Sequence, residues 1–256
     1  MTTIIPIPAL KDNYIWLLTD EDNQNCLIVD PGESKPLLDY LRHQSLTPIS
    51  ILITHHHWDH VGGIDEITQH YDIPVYTPAS ETVTGSTNPV KEGDTLPFPE
   101  VNLILNVLDV PGHTSGAVAY YNSDIVFSGD TLFTAGCGRM FEGTPPQMHS
   151  SLEKFKSLDK NTLLYCGHEY TEANLKFAHA VEPENLAIQT RQKQIKQIRE
   201  QNQPTVPATL SIELDTNPFL RCREKSVVLA ASNYAQKSLS EPHEVFAALR
   251  QWKDNF

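Results

Sequence analysis

Short apolar segments that end at turn residues dominate the first two-thirds of the chain. Tyr14–Thr19 and Cys26–Asp30 are of this kind, and the second ends in Asp30-Pro31-Gly32, a strong turn signal. Ile49–Ile53 is a third, rich in β-branched residues. Further strand candidates are Val75–Tyr76, Val101–Leu108, Ala117–Tyr121, Ile125–Ser128 and Thr162–Cys166. The pattern predicts a β-rich domain in this part of the chain.

Helical periodicity is sparse in this region and dominates the rest of the chain. Three helices are predicted among the strands, at Pro36–His43, Gly62–Tyr71 and Ser150–Ser157. After about Tyr170 the composition changes, and Glu184–Gln201 reads as a long polar helix. Two more helices are predicted at Ser226–Gln236 and His243–Trp252. We therefore expect an α+β chain, with a catalytic domain at residues 1–170 and a helical C-terminal domain at residues 171–256.

The composition is that of an ordinary globular protein of 256 residues, 39% apolar and 20% charged. The net charge of -13 argues against a nucleic-acid partner, because such partners require a broad basic surface. We find no signal peptide and no apolar run of ~20 residues. The four cysteines form no CxxC pair, which indicates free thiols. We expect a cytoplasmic monomer with no membrane or nucleic-acid partner.

Metal-binding side chains are concentrated in Thr54–His60, directly after the predicted strand Ile49–Ile53. Residues at i and i+2 of an extended segment point to the same side, so His55 and His57 can bind one ion. The chain then turns toward a helix, which lets Asp59 and His60 face a second position. Imidazole and carboxylate ligands together suit zinc, iron or manganese.

The other histidines need no functional explanation. His56 and Trp58 lie on the opposite face of the cluster, where packing or solvent exposure explains them. Isolated histidines are interpreted as surface or packing residues: His43, His70, His149, His179 and His243.

Three later residues extend the cluster: His113, Asp130 and His168. Each follows a predicted strand and is preceded by a glycine, which lets the backbone approach a crowded centre. Alone each is a weak signal, and a turn or helix cap would explain Asp130 equally well. Asp30 is a candidate hydrogen-bond partner for a ligand histidine, with a plain turn carboxylate as the equal alternative.

The order His-x-His-x-Asp-His, Gly-His-Thr, Gly-Asp-Thr, Gly-His-Glu resembles the metallo-β-lactamase superfamily. The resemblance implies an αββα sandwich with two divalent metal ions, zinc first and iron or manganese as alternatives. It also implies that His55, His57 and His113 bind the first ion, that Asp59, His60 and His168 bind the second, and that Asp130 bridges both.

A closer resemblance is to the hydroxyacylglutathione hydrolase (glyoxalase II) family. It is carried by Asp12–Trp16, Val29–Gly32, Asp130–Thr144, Cys166–Thr171, Asn217–Arg221 and Leu249–Asp254. It implies hydrolysis of S-D-lactoylglutathione to D-lactate and glutathione, the second step of methylglyoxal detoxification. A hydroxide held by the metals would attack the thioester carbonyl, with Asp59 beside it to orient it or take its proton.

The same resemblance implies which side chains hold the glutathione part of the substrate. By position these are Arg139, Phe141, Tyr170, Arg250 and Lys253. Arg and Lys suit the two carboxylates of glutathione, and residues three apart on a predicted helix share a face. Without the family, Arg250 and Lys253 would read as a solvated helix end. Some members have lysine and tyrosine where Arg139 and Phe141 stand, so Phe141 offers apolar contact only.

Three alternatives stay open at this stage. A glutathione persulfide dioxygenase of the same superfamily would use one iron ion and oxygen. A nuclease of the same fold is disfavoured by the acidic charge. A non-catalytic module that keeps the fold would be expected to have lost ligands, and no ligand position is missing here.

Overall fold

The computed structural model describes residues 2–20 and 24–256, which form two compact units. The N-terminal unit comprises the chain up to Asp109 together with Ser115–Asn122 and Val126–Gly129. The C-terminal unit comprises Val110–Thr114, Ser123–Ile125 and Asp130–Phe256.

A six-stranded mixed sheet is the main element of the N-terminal unit. Its strands are β1 (Thr2–Ala9), β2 (Asn13–Asp20), β3 (Asn25–Val29), β4 (Thr47–Leu52), β5 (Val75–Pro78) and β6 (Asn88–Val90), adjacent in that order. β1, β2 and β3 pair antiparallel, whereas β3 to β6 pair parallel. The unpredicted β1 carries Pro6 and Pro8, which an edge strand tolerates because its outer side needs no ladder hydrogen bonds.

The central strands of this sheet are buried on both faces, which explains why they read as continuous apolar runs. All but the last residue of β2 are buried. One face packs against α1 (Ser34–Gln44) and α3 (Ile64–His70), which follows the short α2 (Trp58–Val61). The predicted helix Gly62–Tyr71 corresponds to α3, which begins two residues later and ends one residue earlier, and α2 was not predicted. The resulting core includes Ile15, Leu17, Ile28, Leu37, Leu41, Ile51 and Ile67.

Four antiparallel strands form a second layer in the same unit. They are β7 (Thr95–Phe98), β8 (Leu103–Asp109), β9 (Val118–Tyr121) and β10 (Ile125–Gly129). A 3-10 turn at Pro99–Val101 precedes β8, so the predicted strand begins two residues too early. The buried Tyr120 hydroxyl donates to the Ile53 carbonyl at 2.9 Å, and the Tyr76 and Phe98 rings meet edge to face. The two layers of this unit therefore lie against each other.

The C-terminal unit is mainly helical. Its helices are α4 (Pro145–Lys156), α5 (Thr171–Val181), α6 (Leu186–Glu200), α7 (Leu210–Thr216), α8 (Lys225–Ala235) and α9 (Pro242–Asp254). Its strands are the hairpin of β11 (Leu132–Phe133) and β12 (Gly136–Cys137), and the antiparallel pair of β13 (Leu163–Cys166) and β14 (Ala208–Thr209). The α5–α6 core contains Ala135, Leu175, Ala178, Ile188 and Ile195.

Local signals fix the starts of several of these helices. Thr144 and Gln147 form a capping box at α4, and the Asn185 side chain accepts from the first amides of α6. Pro242 occupies the first position of α9. The predicted α6, α8 and α9 are confirmed to within about two residues. Helices α5 and α7 and strand β14 were not predicted, and the predicted helix Ser150–Ser157 begins five residues earlier, at Pro145.

Within the described ranges, no helix combines the length and the apolar character that crossing a membrane would require.

Candidate active site

The histidine segment follows β4 directly and continues into α2. His55 and His60 are both about 1% exposed, so they are held by the surrounding protein. His55 Nε2 lies 3.2 Å from His57 Nδ1, which places these two rings on the same side as the alternation of an extended segment predicts. His60 Nε2 lies 3.7 Å from Asp59 Oδ2. The four predicted ligands of the N-terminal unit are thus brought together.

Asp30 fixes one of these histidines. Its carboxylate accepts from the Thr54 amide at 2.8 Å and from the Thr54 hydroxyl at 2.6 Å, and it lies 3.0 Å from His60 Nδ1. A proton on Nδ1 leaves Nε2 as the basic nitrogen of His60, which is the form that binds a metal. Asp30 itself has φ 51, a left-handed conformation that few side chains adopt readily. The structure therefore favours the hydrogen-bond partner over the plain turn carboxylate.

Asn13 holds Asp59 in the same unit. Its side-chain amide donates to Asp59 Oδ2 at 3.0 Å and to the Asp59 carbonyl at 3.1 Å. These residues lie 46 positions apart, so no local pattern could pair them. The only available signal was the Asp12–Trp16 segment, which matched the family without indicating a role.

His56 makes a contact that the sequence interpretation missed. Its Nδ1 lies 3.0 Å from Glu81 Oε2, and the Glu81 side chain is 2% exposed. Glu81 Oε1 accepts from the Gly116 amide at 3.2 Å. The face of the histidine segment opposite His55 and His57 is therefore attached to two neighbouring loops.

The C-terminal unit brings the three later residues together around one carboxylate. Asp130 Oδ2 lies 3.2 Å from His168 Nε2 and 3.6 Å from His113 Nε2. His113 Nδ1 donates to the Arg139 carbonyl at 2.7 Å, which again leaves Nε2 as the basic nitrogen. His113, Asp130 and His168 are each less than a tenth exposed.

Two glycines next to these residues are required by geometry. Gly112 has φ 153, and a Cβ there would lie 2.8 Å from the Met148 Cα. Gly129 has φ 51, and a Cβ there would lie 2.3 Å from the Thr54 hydroxyl oxygen. Both positions therefore exclude larger residues, as the sequence suggested.

Three of the predicted substrate contacts lie beside these histidines in the C-terminal unit. The Phe141 ring meets His113 edge to face at 5.3 Å and is 64% exposed. The Tyr170 ring stacks on His168 at 4.7 Å. Arg139 follows β12, and its side chain is 62% exposed. The Phe141 and Tyr170 rings thus contact His113 and His168, and Arg139 is joined to His113 through its backbone carbonyl.

The other two predicted contacts lie on α9 and differ in accessibility. Arg250 is 5% exposed, and its guanidinium donates to the Cys137 carbonyl at 2.8 Å and to Asp254 Oδ1 at 3.0 Å. Lys253 is half-buried over the Phe177 ring. Desolvation, followed by repulsion from Arg250, lowers the pKa of Lys253 to about 8.

The two cysteines near these residues are unsuited to act as nucleophiles. Burial raises the pKa of Cys137 to about 11 and that of Cys166 to about 12. Because the thiolate is the reactive form, both side chains remain protonated and inert at neutral pH. Both are free and buried, and the free thiols agree with the sequence interpretation.

The donor set fits divalent metal ions. Asp30, His55 and His60 form one buried group whose polar side-chain atoms lie within 4.8 Å of one another, and Asp30 serves there as the hydrogen-bond partner of His60 rather than as a ligand. Imidazole nitrogens with fixed tautomers and buried carboxylates are borderline ligands that accept zinc, iron and manganese alike. A buried carboxylate beside two imidazoles would be costly without a positive charge to balance it.

Two family models together match almost the whole chain. The metallo-β-lactamase superfamily model matches residues 11–168, and the model described as the C-terminus of hydroxyacylglutathione hydrolase matches residues 169–256. The fold and the metal-binding pattern correspond to the first model, and the helical segment corresponds to the second.

Similar proteins agree with both models. Hydroxyacylglutathione hydrolases of Nitrosomonas europaea and Nitrosomonas eutropha are 50% and 48% identical over all of this chain, covering 97% and 100% of their own lengths. Among solved structures, ETHE1 from Myxococcus xanthus is 21% identical, with a TM-score of 0.66 over 99% of this chain and 98% of its own. The predicted α+β fold of the metallo-β-lactamase type is confirmed.

Proposed function

Because the chain belongs to the hydroxyacylglutathione hydrolase family of the metallo-β-lactamase superfamily, we propose that it hydrolyses S-(2-hydroxyacyl)glutathione thioesters. S-D-lactoylglutathione is the typical substrate, and D-lactate and glutathione are the products. This reaction is the second step of methylglyoxal detoxification. The observation that carries the proposal is the similarity over the full chain, which includes the helical segment as well as the metal-binding pattern.

We propose that seven residues hold two divalent metal ions, most simply zinc, with iron or manganese as alternatives. His55, His57 and His113 would bind one ion, and Asp59, His60 and His168 the other. Asp130 would bridge both, and its contacts to His113 and His168 support this role. When bound, the ions would supply a water whose pKa is lowered toward ~7 and a Lewis acid for the carbonyl oxygen.

The side chains prepare the site for this chemistry. Asn13 holds Asp59 by two hydrogen bonds, so the Asp59 carboxylate is oriented before substrate arrives. It would orient the attacking oxygen and accept its proton. The glutathione thiolate is a good leaving group, with a conjugate-acid pKa near ~8.5, and needs little help from a general acid.

Glutathione recognition is assigned to Arg139, Phe141, Tyr170, Arg250 and Lys253. The cations complement the two carboxylates of glutathione, and the rings offer flat apolar surface. The Phe141 ring contacts His113 and the Tyr170 ring contacts His168, which supports a substrate that lies beside both rings.

We further propose a catalytic domain at residues 1–170, a substrate-binding domain at 171–256, and a monomer in the cytoplasm. The four free, buried cysteines suit a reducing compartment. The net charge of -13 supports the absence of nucleic-acid partners.

The proposal is tested against the persulfide dioxygenase alternative by supplying both substrates to the same enzyme. We expect cleavage of S-D-lactoylglutathione and no oxygen uptake with glutathione persulfide. The alternative gains support only if oxygen is consumed and the thioester is left intact. The match of residues 169–256 to the hydrolase C-terminal model favours the hydrolase.

Replacing Asp30 with asparagine is expected to weaken metal binding about 10- to 100-fold. Asp30 Oδ2 lies within hydrogen-bonding distance of both the Thr54 hydroxyl and His60 Nδ1, and one amide oxygen cannot replace the charge that polarises His60. Dissociation constants would be measured by chelator competition. Asp39→Asn, an exposed change on α1, is the matched control, and equal affinities in both variants would contradict the prediction.

The Michaelis constant for the thioester is expected to rise about 5- to 10-fold as pH increases through about 8. Lys253 is protonated below that pH and attracts a carboxylate, whereas above it the attraction is lost. KM would be measured from about pH 6.5 to 9.5, with spontaneous hydrolysis subtracted. Lys253→Arg stays charged throughout this range, so its KM should stay flat. A rise of the same size in the arginine variant would exclude Lys253 as the cause.

A further inference from the structure

A chain of three charged side chains joins the end of α9 to the loop after β12. Arg250 donates through Nη1 to the Cys137 carbonyl at 2.8 Å and through Nη2 to Asp254 Oδ1 at 3.0 Å. The same Asp254 oxygen lies 3.2 Å from Arg139 Nε. One carboxylate oxygen therefore links a buried arginine to an exposed one.

The two arginines are unequal as ligands for a substrate. Arg250 is 5% exposed, and both of its terminal nitrogens are already used within the protein. The Arg139 side chain is 62% exposed, and the shortest distance in its ion pair with Asp254 is from Nε. Its two terminal nitrogens donate no hydrogen bond within the described part of the chain, and this pair of donors matches a carboxylate in a bidentate arrangement.

Helix stability does not explain Asp254. It is the last residue of α9, where the negative end of the helix dipole disfavours a carboxylate. Its i−4 partner Arg250 lies on the N-terminal side, which is the weaker order for such a pair. Two arginines surround one oxygen of this carboxylate. The presence of an acidic residue at this position is therefore better explained by its effect on the Arg139 side chain.

We propose that Asp254 is a positioning residue that holds Arg139 ready for a carboxylate of the glutathione thioester, with Arg250 as its buried anchor. This inference rests on the proposed function. A long exposed arginine loses side-chain entropy when it binds, and a partner that fixes it beforehand removes part of that cost. Arg250 then contributes to the recognition proposed above mainly through Asp254 and the Cys137 carbonyl, and among the three cations Arg139 and Lys253 are the more accessible to the carboxylates.

The direction of the effect separates positioning from simple electrostatics. Removing a negative charge near an anionic substrate should tighten binding if only long-range attraction matters. Positioning predicts the opposite. We expect Asp254→Asn to raise KM for S-D-lactoylglutathione about 3- to 10-fold with kcat within about 2-fold of the native value. Glu244→Gln removes one exposed charge from the first turn of the same helix and should leave KM unchanged.

A double-mutant cycle tests whether the effect passes through Arg139. In an Arg139→Met background, Asp254→Asn should add almost nothing to KM, because the side chain that it positions is already gone. A KM that is unchanged or lower in Asp254→Asn would overturn the inference. So would an equal further rise in the Arg139→Met background, since Asp254 would then act by another route.

Binding of free glutathione by calorimetry keeps this inference separate from the proposed function. If the native enzyme binds glutathione without cleaving the thioester, the proposed function fails, and the same variants then decide the role of Asp254 from their dissociation constants. A 3- to 10-fold loss in Asp254→Asn would support it, at about the cost of one ordered side chain. Unchanged binding in Asp254→Asn, or no glutathione binding by the native enzyme, would overturn it.

Discussion

Thioester hydrolysis is expected to fall by about 10³-fold or more when Asp130 is replaced with alanine, equivalent to about 4 kcal/mol in the activation barrier. Asp130 is the carboxylate between His113 and His168 in the C-terminal unit, and we propose that it bridges both metal ions. Its loss should leave the two cations without their shared ligand, so bound metal should fall together with activity.

Elemental analysis and a hydrolysis assay on the same preparation check this result. Asp72→Asn is a suitable control, because Asp72 lies exposed in the segment between α3 and β5. The control should retain metal and rate. Unchanged metal content and unchanged activity in Asp130→Ala would contradict the two-metal account.

The free energy of unfolding is expected to fall by about 3–5 kcal/mol when Glu213 is replaced with glutamine. Glu213 is fully buried, and its carboxylate accepts from Arg191 at 2.6 Å, from the Ala135 amide at 2.7 Å and from Asn217 at 3.0 Å. Glutamine would leave the buried Arg191 without its counter-charge and would turn one acceptor into a donor.

The same network connects Asn217, which is distant in sequence, to the segment that follows Asp130. The Asn217 side chain also donates to the carbonyls of Phe133 and Gly136, so it holds the β11–β12 hairpin that follows Asp130. Urea denaturation would measure the loss of stability. Glu200→Gln removes an exposed surface pair on α6 and should cost less than about 1 kcal/mol. A loss below about 1 kcal/mol in Glu213→Gln would show that the buried pair contributes little.

Much of the fold could be predicted because burial on both faces leaves a continuous apolar signal. Strands β2, β3 and β4 were predicted on this basis, and the long periodic helices α6, α8 and α9 likewise. Strand β1 was missed because its prolines imitate a loop, and β14 because two residues form no pattern. Such short strands are stabilised by pairing with strands that are distant in sequence.

The residues of the candidate site also fall into two classes, those that the local sequence could indicate and those that it could not. The four ligand candidates of Thr54–His60 are local in sequence, so their spacing and residue types were enough to identify them. Asn13, Glu81 and Asp254 were not identified, because their roles arise from contacts with residues far away or on another element. The burial of Arg250 could not be predicted from the sequence either, because its charge and helical spacing suggest an exposed cation.

The most direct test of the account is to remove the metals with a chelator and titrate zinc back while following S-D-lactoylglutathione hydrolysis. We predict almost no activity in the metal-free protein and a recovery that saturates at about two ions per chain. D-lactate and glutathione should appear in equal amounts throughout. Full thioesterase activity in the metal-free protein, or no thioester cleavage at any zinc content, would contradict it.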